Sequence, residues 1–321
     1  MTPRIPRIAT WKGLLATLVV GGLRAAEPAR QATPPDELAE IVIQAPEPRY
    51  VAPTRRDRIG RVWVPVFINK QGPFRLVLDS GATRTAVTAS VATRLGIPTD
   101  VSPPVILRGV TGTAIVPTIR ADSLEVGDLY IAPTTLPIVA DAFGGAEGLL
   151  GNEGLGDKRI YIDFRHDFIN IARSRGAAAE PDFTTVPMLR RGGRLMVVNA
   201  MVGGVRALAI IDTGAQASVA NLALRKALER RLRNATVSKD EITGATGEMQ
   251  SGEGLVISPI TFGKLEIRSA HITFGDMTIF SHWKLTEEPA IMIGMDILGV
   301  VDTLIIDYKR RELMIRLPGR R

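Results

Sequence analysis

Apolar and polar positions along this chain fall into short runs, either alternating or wholly apolar, which is the pattern of β-strands and not of long helices. Arg61–Asn69 reads as a strand. A turn is predicted at Gln71-Gly72-Pro73, leading into Phe74–Asp79, where Leu76-Val77-Leu78 runs directly into a carboxylate. The same order returns later: a strand over Arg194–Val202, a turn at Gly203-Gly204, then Val205–Asp212 with Ala209-Ile210-Ile211 ahead of the acid. An apolar run ending in Asp and then Gly predicts a buried strand closed by a sharp turn. It also places a charge where burial is costly unless the charge is compensated. Two such places imply that the two carboxylates meet.

The resemblance between the halves continues past the acids. Helical spacing is expected over Thr88–Leu95 and over Ser218–Arg231. Glycine-rich segments follow, Gly109-Val110-Thr111-Gly112 and Gly244-Ala245-Thr246-Gly247, 135 residues apart, against 133 for the two aspartates. Each half then reaches two apolar residues and a glycine, Leu149-Leu150-Gly151 and Met292-Ile293-Gly294. Each is trailed by an acid and a Leu: Glu153 with Leu155, Asp296 with Leu298. Each closes on a strand pair, Ile160–Phe164 with Phe168–Ala172 and Leu304–Tyr308 with Leu313–Leu317, joined by polar tips. A repeat of roughly 130 residues is too long for a solenoid unit, so two similar lobes related by a pseudo-twofold are expected.

The expected organisation is a signal peptide or anchor over 1–26, a Pro-rich linker over 27–60 and a first lobe over 61–176. A connection over 177–190 and a second lobe over 191–318 complete it. In the linker, Ile41-Val42-Ile43 is the one stretch with strand character. Gly13–Leu23 is an apolar run of 11 residues behind three basic ones, too short to span a bilayer and suited to export. The protein is therefore expected in a periplasm or outside the cell, with any membrane attachment confined to an uncleaved N-terminal segment.

Composition changes this picture little. The hydrophobic share of 45% with aromatics at 5% leaves Leu, Ile and Val to fill the interior. Having no cysteine excludes disulfides, thiolate metal sites and a cysteine nucleophile. The net charge of +7 owes four charges to Arg4, Arg7, Lys12 and Arg24, leaving +3 for the rest, so no nucleic-acid partner is expected. His166, His271 and His282 lie without metal-ligand spacing, and Gly148–Gly154 lacks the Lys-Ser/Thr ending of a phosphate loop.

With Asp79-Ser80-Gly81-Ala82, Asp212-Thr213-Gly214-Ala215 and the segments ending at Gly151 and Gly294, the sequence resembles the retroviral-type (retropepsin-like) aspartic proteases. Here two units are fused in one chain, as in an exported bacterial form, and the resemblance covers about residues 61–317. It implies a mainly β fold of two pseudo-twofold β-barrel lobes with a cleft between them. It also implies catalysis by Asp79 and Asp212 through an activated water, with no metal and no cofactor. Ser80, Gly81, Thr213 and Gly214 would support the dyad, the two hydroxyls bonding across the twofold. Gly109–Gly112 and Gly244–Gly247 would form flaps over a protein or peptide substrate in extended conformation, and Gly151 and Gly294 would be structural. The chain would be a monomer that is its own pseudo-dimer. Two departures weigh on the flaps and the second turn: no flap Tyr of the pepsin kind is present, and Gln216 stands where the first copy has Thr83. The competing reading is a peptide-binding module on the same lobes, its aspartates and glycines serving only as turn chemistry. A third is that each lobe pairs with its counterpart in another chain.

Overall fold

The computed structural model describes residues 40–42, 47–48, 62–166, 168–191 and 195–319. The segment expected to direct export, most of the expected linker and Arg194 lie outside the described residues. Trp63–Ile68 buries every second residue, Val64, Val66 and Ile68, as a strand with one wet face does. It pairs antiparallel with Gln71–Leu78, whose last residues Leu76, Val77 and Leu78 are all buried because the strand runs inward between neighbours. The turn between them is at Asn69-Lys70, both with positive φ, and not at Gln71-Gly72-Pro73, which already belongs to the second strand. A two-residue turn of that hand matches the twist of the hairpin, and Gly203-Gly204 makes the equivalent turn in the second copy.

Each lobe is built on one sheet order. In the first, Gly148–Leu150 lies parallel to Gln71–Leu78 and antiparallel to Ala86–Thr88, which in turn runs beside Thr134–Val139. In the second, Ala290–Ile293, Val205–Ile211, Val219–Ala220 and Ala270–Phe274 repeat those relations. The copies differ where a proline intervenes. Pro117 has no N–H to give the ladder, and the strand on the far side of the first glycine segment is split into Thr113–Val116 and Thr118–Ala121. Met249–Ile257 has no proline and runs unbroken.

Helices are short. Ala89–Leu95 ends at Gly96, in the left-handed conformation. The helix expected over Ser218–Arg231 spans only Leu222–Ala227. Asn221 Oδ1 caps it by accepting the Leu224 N–H at 2.9 Å, and the residues just before it, Val219–Ala220, are drawn into the central sheet.

The closing strand pairs of the two copies combine into a single five-stranded sheet. Its order is Phe168–Arg173, Lys158–Asp163, Thr303–Asp307, Glu312–Arg316, Thr184–Pro187, the last supplied by the connection between lobes. Arg159 Nε meets the buried Asp307 Oδ2 at 2.8 Å across the seam. One apolar core runs through both lobes beside this sheet. The molecule is mainly β, with two repeated β-rich lobes.

Candidate active site

Both aspartates emerge from the inner ends of strands and are wholly buried. The Asp79 N–H bonds to Leu150 O at 2.9 Å and the Asp212 N–H to Ile293 O at 3.0 Å, so each acid is moored to the apolar-apolar-Gly segment of its own repeat. The following turn folds back beneath each carboxylate. Gly81 N–H and Ala82 N–H donate to Asp79 Oδ1 at 2.9 and 2.8 Å; Gly214 N–H and Ala215 N–H donate to Asp212 Oδ1 at 2.9 and 3.1 Å. Asp212 Oδ2 is buried and receives no hydrogen bond among the described residues. Burial, and after it the charge of Asp79, pushes the Asp212 carboxyl well above its ordinary value of 3.8, against the pull of the two turn N–H groups.

Two hydroxyls tie the copies together. Ser80 Oγ donates to Ile211 O at 2.7 Å and accepts the Thr213 N–H at 3.1 Å. Thr213 Oγ1 donates to Leu78 O at 2.7 Å and accepts the Ser80 N–H at 3.1 Å. Four buried hydrogen bonds thus cross between repeats, each contributing about 1 kcal/mol net and costing more if left half-made. They hold the turns so close that a Cβ built on Gly214 would lie 2.4 Å from Asp79 Cγ.

Gly151 and Gly294 are places of close backbone approach. A Cβ there would stand 2.4 Å from the Arg84 carbonyl carbon and 2.8 Å from Ala217 O, respectively. Their N–H groups reach Thr85 Oγ1 at 3.2 Å and Ser218 Oγ at 3.0 Å. Not among the candidate residues were Glu153 and Asp296, which brace those same loops. Glu153 accepts the Thr85 N–H at 2.7 Å; Asp296 accepts the Ser218 N–H at 2.9 Å and its hydroxyl at 2.7 Å. Burial raises both carboxyls. The signal was present as an acid two residues beyond each of the two glycines, but an acid after a glycine has many ordinary uses.

The glycine segments are hairpin tips, one between Val105–Arg108 and Thr113–Val116, the other between Ser238–Thr243 and Met249–Ile257. They meet each other. Thr111 Oγ1 donates to Glu248 O at 2.8 Å, and a Cβ built on Gly244 would stand 2.3 Å from Thr111 Oγ1, while one on Gly109 would be in tight contact with Thr246 at 3.3 Å. Thr246 lies against Gly109. Gly112 and Gly247 close their own tips, through Gly109 N–H to Gly112 O at 2.8 Å and Gly247 N–H to Gly244 O at 2.9 Å. The anchors are exchanged. Val110, from the first repeat, is fully buried in an apolar cluster of the second with Ile210, Ala215 and Phe280, and the Ile279 N–H bonds to its carbonyl at 3.3 Å. Ala245, from the second repeat, is fully buried in a cluster of the first with Val77, Ala82 and Phe143.

Trimming Val110 to Ala removes roughly 1–2 kcal/mol of that burial. Amide exchange over 105–116 is expected to accelerate about tenfold, while the five-stranded sheet keeps its protection. Equal protection in the variant and the parent would show that Val110 does not hold the tip down.

A family model described as aspartyl protease matches the chain twice, over residues 64–153 and 198–297, one match on each repeat. No match is found among curated proteins.

Proposed function

The chain belongs to the aspartyl protease family, as a retropepsin-like chain of two fused repeats, and we propose that it is an endopeptidase working through Asp79 and Asp212. The observation that carries this reading is the reciprocal cradle. Two buried carboxyls, one from each repeat, each satisfied on one oxygen by its own turn, are brought together by Ser80 and Thr213. Carboxyls so placed cannot both ionise readily and share one proton, in titration steps that belong to the pair. The ionised member takes a proton from water as the water oxygen attacks the scissile carbonyl carbon. The protonated member gives its proton to the carbonyl oxygen. Collapse of the tetrahedral species breaks the C–N bond, and the nitrogen leaves as an amine after accepting the proton taken from the water. A hydroxyl of the tetrahedral species returns its proton to the other carboxylate as the new carboxyl group forms. No covalent enzyme intermediate forms.

An extended peptide substrate is supported by what the hairpin strands already do with backbone. Glu40–Val42 pairs parallel with Val105–Arg108, and Glu47–Pro48 pairs antiparallel with Ser238–Thr243. Val42 faces Arg108 and Glu47 faces Thr243, positions 135 apart and equivalent in the two repeats. A backbone crossing a pseudo-twofold must meet one copy parallel and the other antiparallel. Edges that accept such a strand suit a substrate held by main-chain hydrogen bonds. The proposal includes export, which the N-terminus of protein recovered from cell fractions would check.

The test is incubation of the full chain with a mixture of unfolded proteins, reading new termini by mass spectrometry. New internal termini are expected, suppressed by a statine-type peptide that mimics the tetrahedral species and untouched by chelators or serine reagents. Tight peptide binding without new termini would replace the enzyme with a binding module.

A further inference from the structure

The strands leading into the two hairpin tips each have one side that only residues ahead of the first lobe cover. Val105–Arg108 lies between Thr113–Val116 and Glu40–Val42; Ser238–Thr243 lies between Met249–Ile257 and Glu47–Pro48. Among the described residues nothing else pairs with those outer sides. Both strands are anchored in the interior, Val105 and Leu107 in the apolar cluster with Ala82, Ile242 in the one with Ala215. Their outward N–H and C=O groups are therefore presented in fixed positions, the template on which a further strand forms.

The direction of the added backbone carries the inference. From Glu40 to Val42 its partners run Ile106, Leu107, Arg108, toward the tip glycine Gly109. From Glu47 to Pro48 they run Thr243, Ile242, away from the tip glycine Gly244. One chain thus comes in along the first hairpin and goes out along the second, and the two tips touch through Thr111 and Glu248. That is the course of a peptide crossing the pseudo-twofold, here taken by the protein's own backbone. The grip is short. Three residues pair on one side and two on the other, and Pro48 has no N–H to give. Residues 49–61 tether the segment to the first lobe, which sets its effective concentration at about millimolar.

We propose that Glu40–Val42 and Glu47–Pro48 form an inhibitory strap, occupying in cis the hairpin edges that a peptide strand would use. The inference rests on the reading of the site as a peptide cleft and adds how that cleft is regulated. Peptide binds only the strap-free fraction of molecules, so apparent affinity falls in proportion to that fraction while the chemical step is untouched. A short grip on a close tether suits this role. It holds the edges when peptide is scarce and gives way when peptide is abundant.

Ile41→Pro/Val42→Pro in the full chain tests this. Successive N–H groups of a strand point to opposite sides, so two adjacent prolines remove whichever one faces Val105–Arg108. The amides of Val105–Arg108 that face the strap are expected to exchange about tenfold faster, with an unchanged circular dichroism spectrum. A statine-type peptide should bind about tenfold tighter by isothermal titration, and KM should fall by a similar factor with kcat unchanged. Ile41→Val/Val42→Ile keeps every N–H and should leave all of these at the parental level. Unchanged exchange in the proline variant would show that the strap is not on the edge and would end the proposal. Faster exchange with equally tight peptide binding would also end it, since the strap would then cover an edge that peptide does not use. Protection that falls on dilution would give the edge to a second copy and overturn the assignment in cis. Peptide bound by neither form would instead sink the reading of the cleft, a separate result because exchange reports the strap without peptide.

Discussion

Replacing Asp212 by Asn is expected to lower kcat/KM by about 10⁴-fold and, at neutral pH, to raise the melting temperature. The first effect follows from the need for one carboxylate and one carboxylic acid in the same pair. An amide cannot exchange the proton, and Asp79 alone cannot be base and acid in one step. The second follows from linkage. Asp212 has a folded-state pKa raised above its ordinary 3.8. Its contribution to stability is therefore complete below about 3.8 and is lost as pH rises toward the folded value. Asn is neutral throughout and loses nothing. Its Oδ1 can accept the Gly214 and Ala215 N–H groups as the carboxylate does, and its Nδ2 supplies a donor facing Asp79. Each kcal/mol recovered corresponds to roughly 2–4 °C in a domain of this size. Thermal unfolding at pH 7 and pH 3 checks the sign: the gain belongs to pH 7 and should shrink toward zero at pH 3. A variant destabilised equally at both would mean that Asp212 serves the fold and does not burden it. Near-parental peptidase activity would remove it from the chemistry.

The motif around each aspartate was legible because its physics is local. An apolar strand, a carboxylate, a hydroxyl and a glycine stand within seven residues, twice, and the downstream glycines keep the same register. Beyond the two hydroxyls, what joins the repeats was not legible. That Lys158–Asp163 pairs with Thr303–Asp307 is a long-range choice between strands of similar composition, and either copy read alone offers only a hairpin. The exchange of Val110 and Ala245 is hidden for the same reason: each is an unremarkable apolar residue until the opposite lobe supplies its pocket. The misplaced turn at Gln71-Gly72-Pro73 has a different origin. Gly and Pro are strong turn signals, yet Asn69-Lys70 takes the positive φ values and lets the next residues pair. Ser218–Arg231 carried helical spacing throughout, but the Asn221 cap and the sheet before it shortened the helix.

Gly214→Ala should damage the site through contact between repeats and not through backbone strain. Gly214 does not have positive φ, so alanine is permitted by its own backbone. The obstacle is Asp79, with Cγ at 2.4 Å, Oδ2 at 2.6 Å and Cβ at 2.9 Å from where the new methyl must go. Something has to give, and the turn carrying Gly214 is held by the Ser80–Thr213 hydrogen bonds and by its N–H to Asp212 Oδ1. The Asp79 carboxyl is then displaced from Asp212 by a good fraction of an ångström. Misplacement on that scale lowers kcat by about 10²-fold. Two further measurements separate this from general damage. Moving Asp79 away weakens the charge that helps to raise Asp212, so the alkaline limb of kcat/KM should shift to lower pH. In stability, the cost of Gly214→Ala should fall by about half when Asp79 is also Ala, because Cγ and Oδ2 are gone while Cβ remains, a coupling of the size seen between residues in contact. Additive losses in that cycle would show that the methyl is accommodated elsewhere and that the two repeats do not press on one another at the dyad.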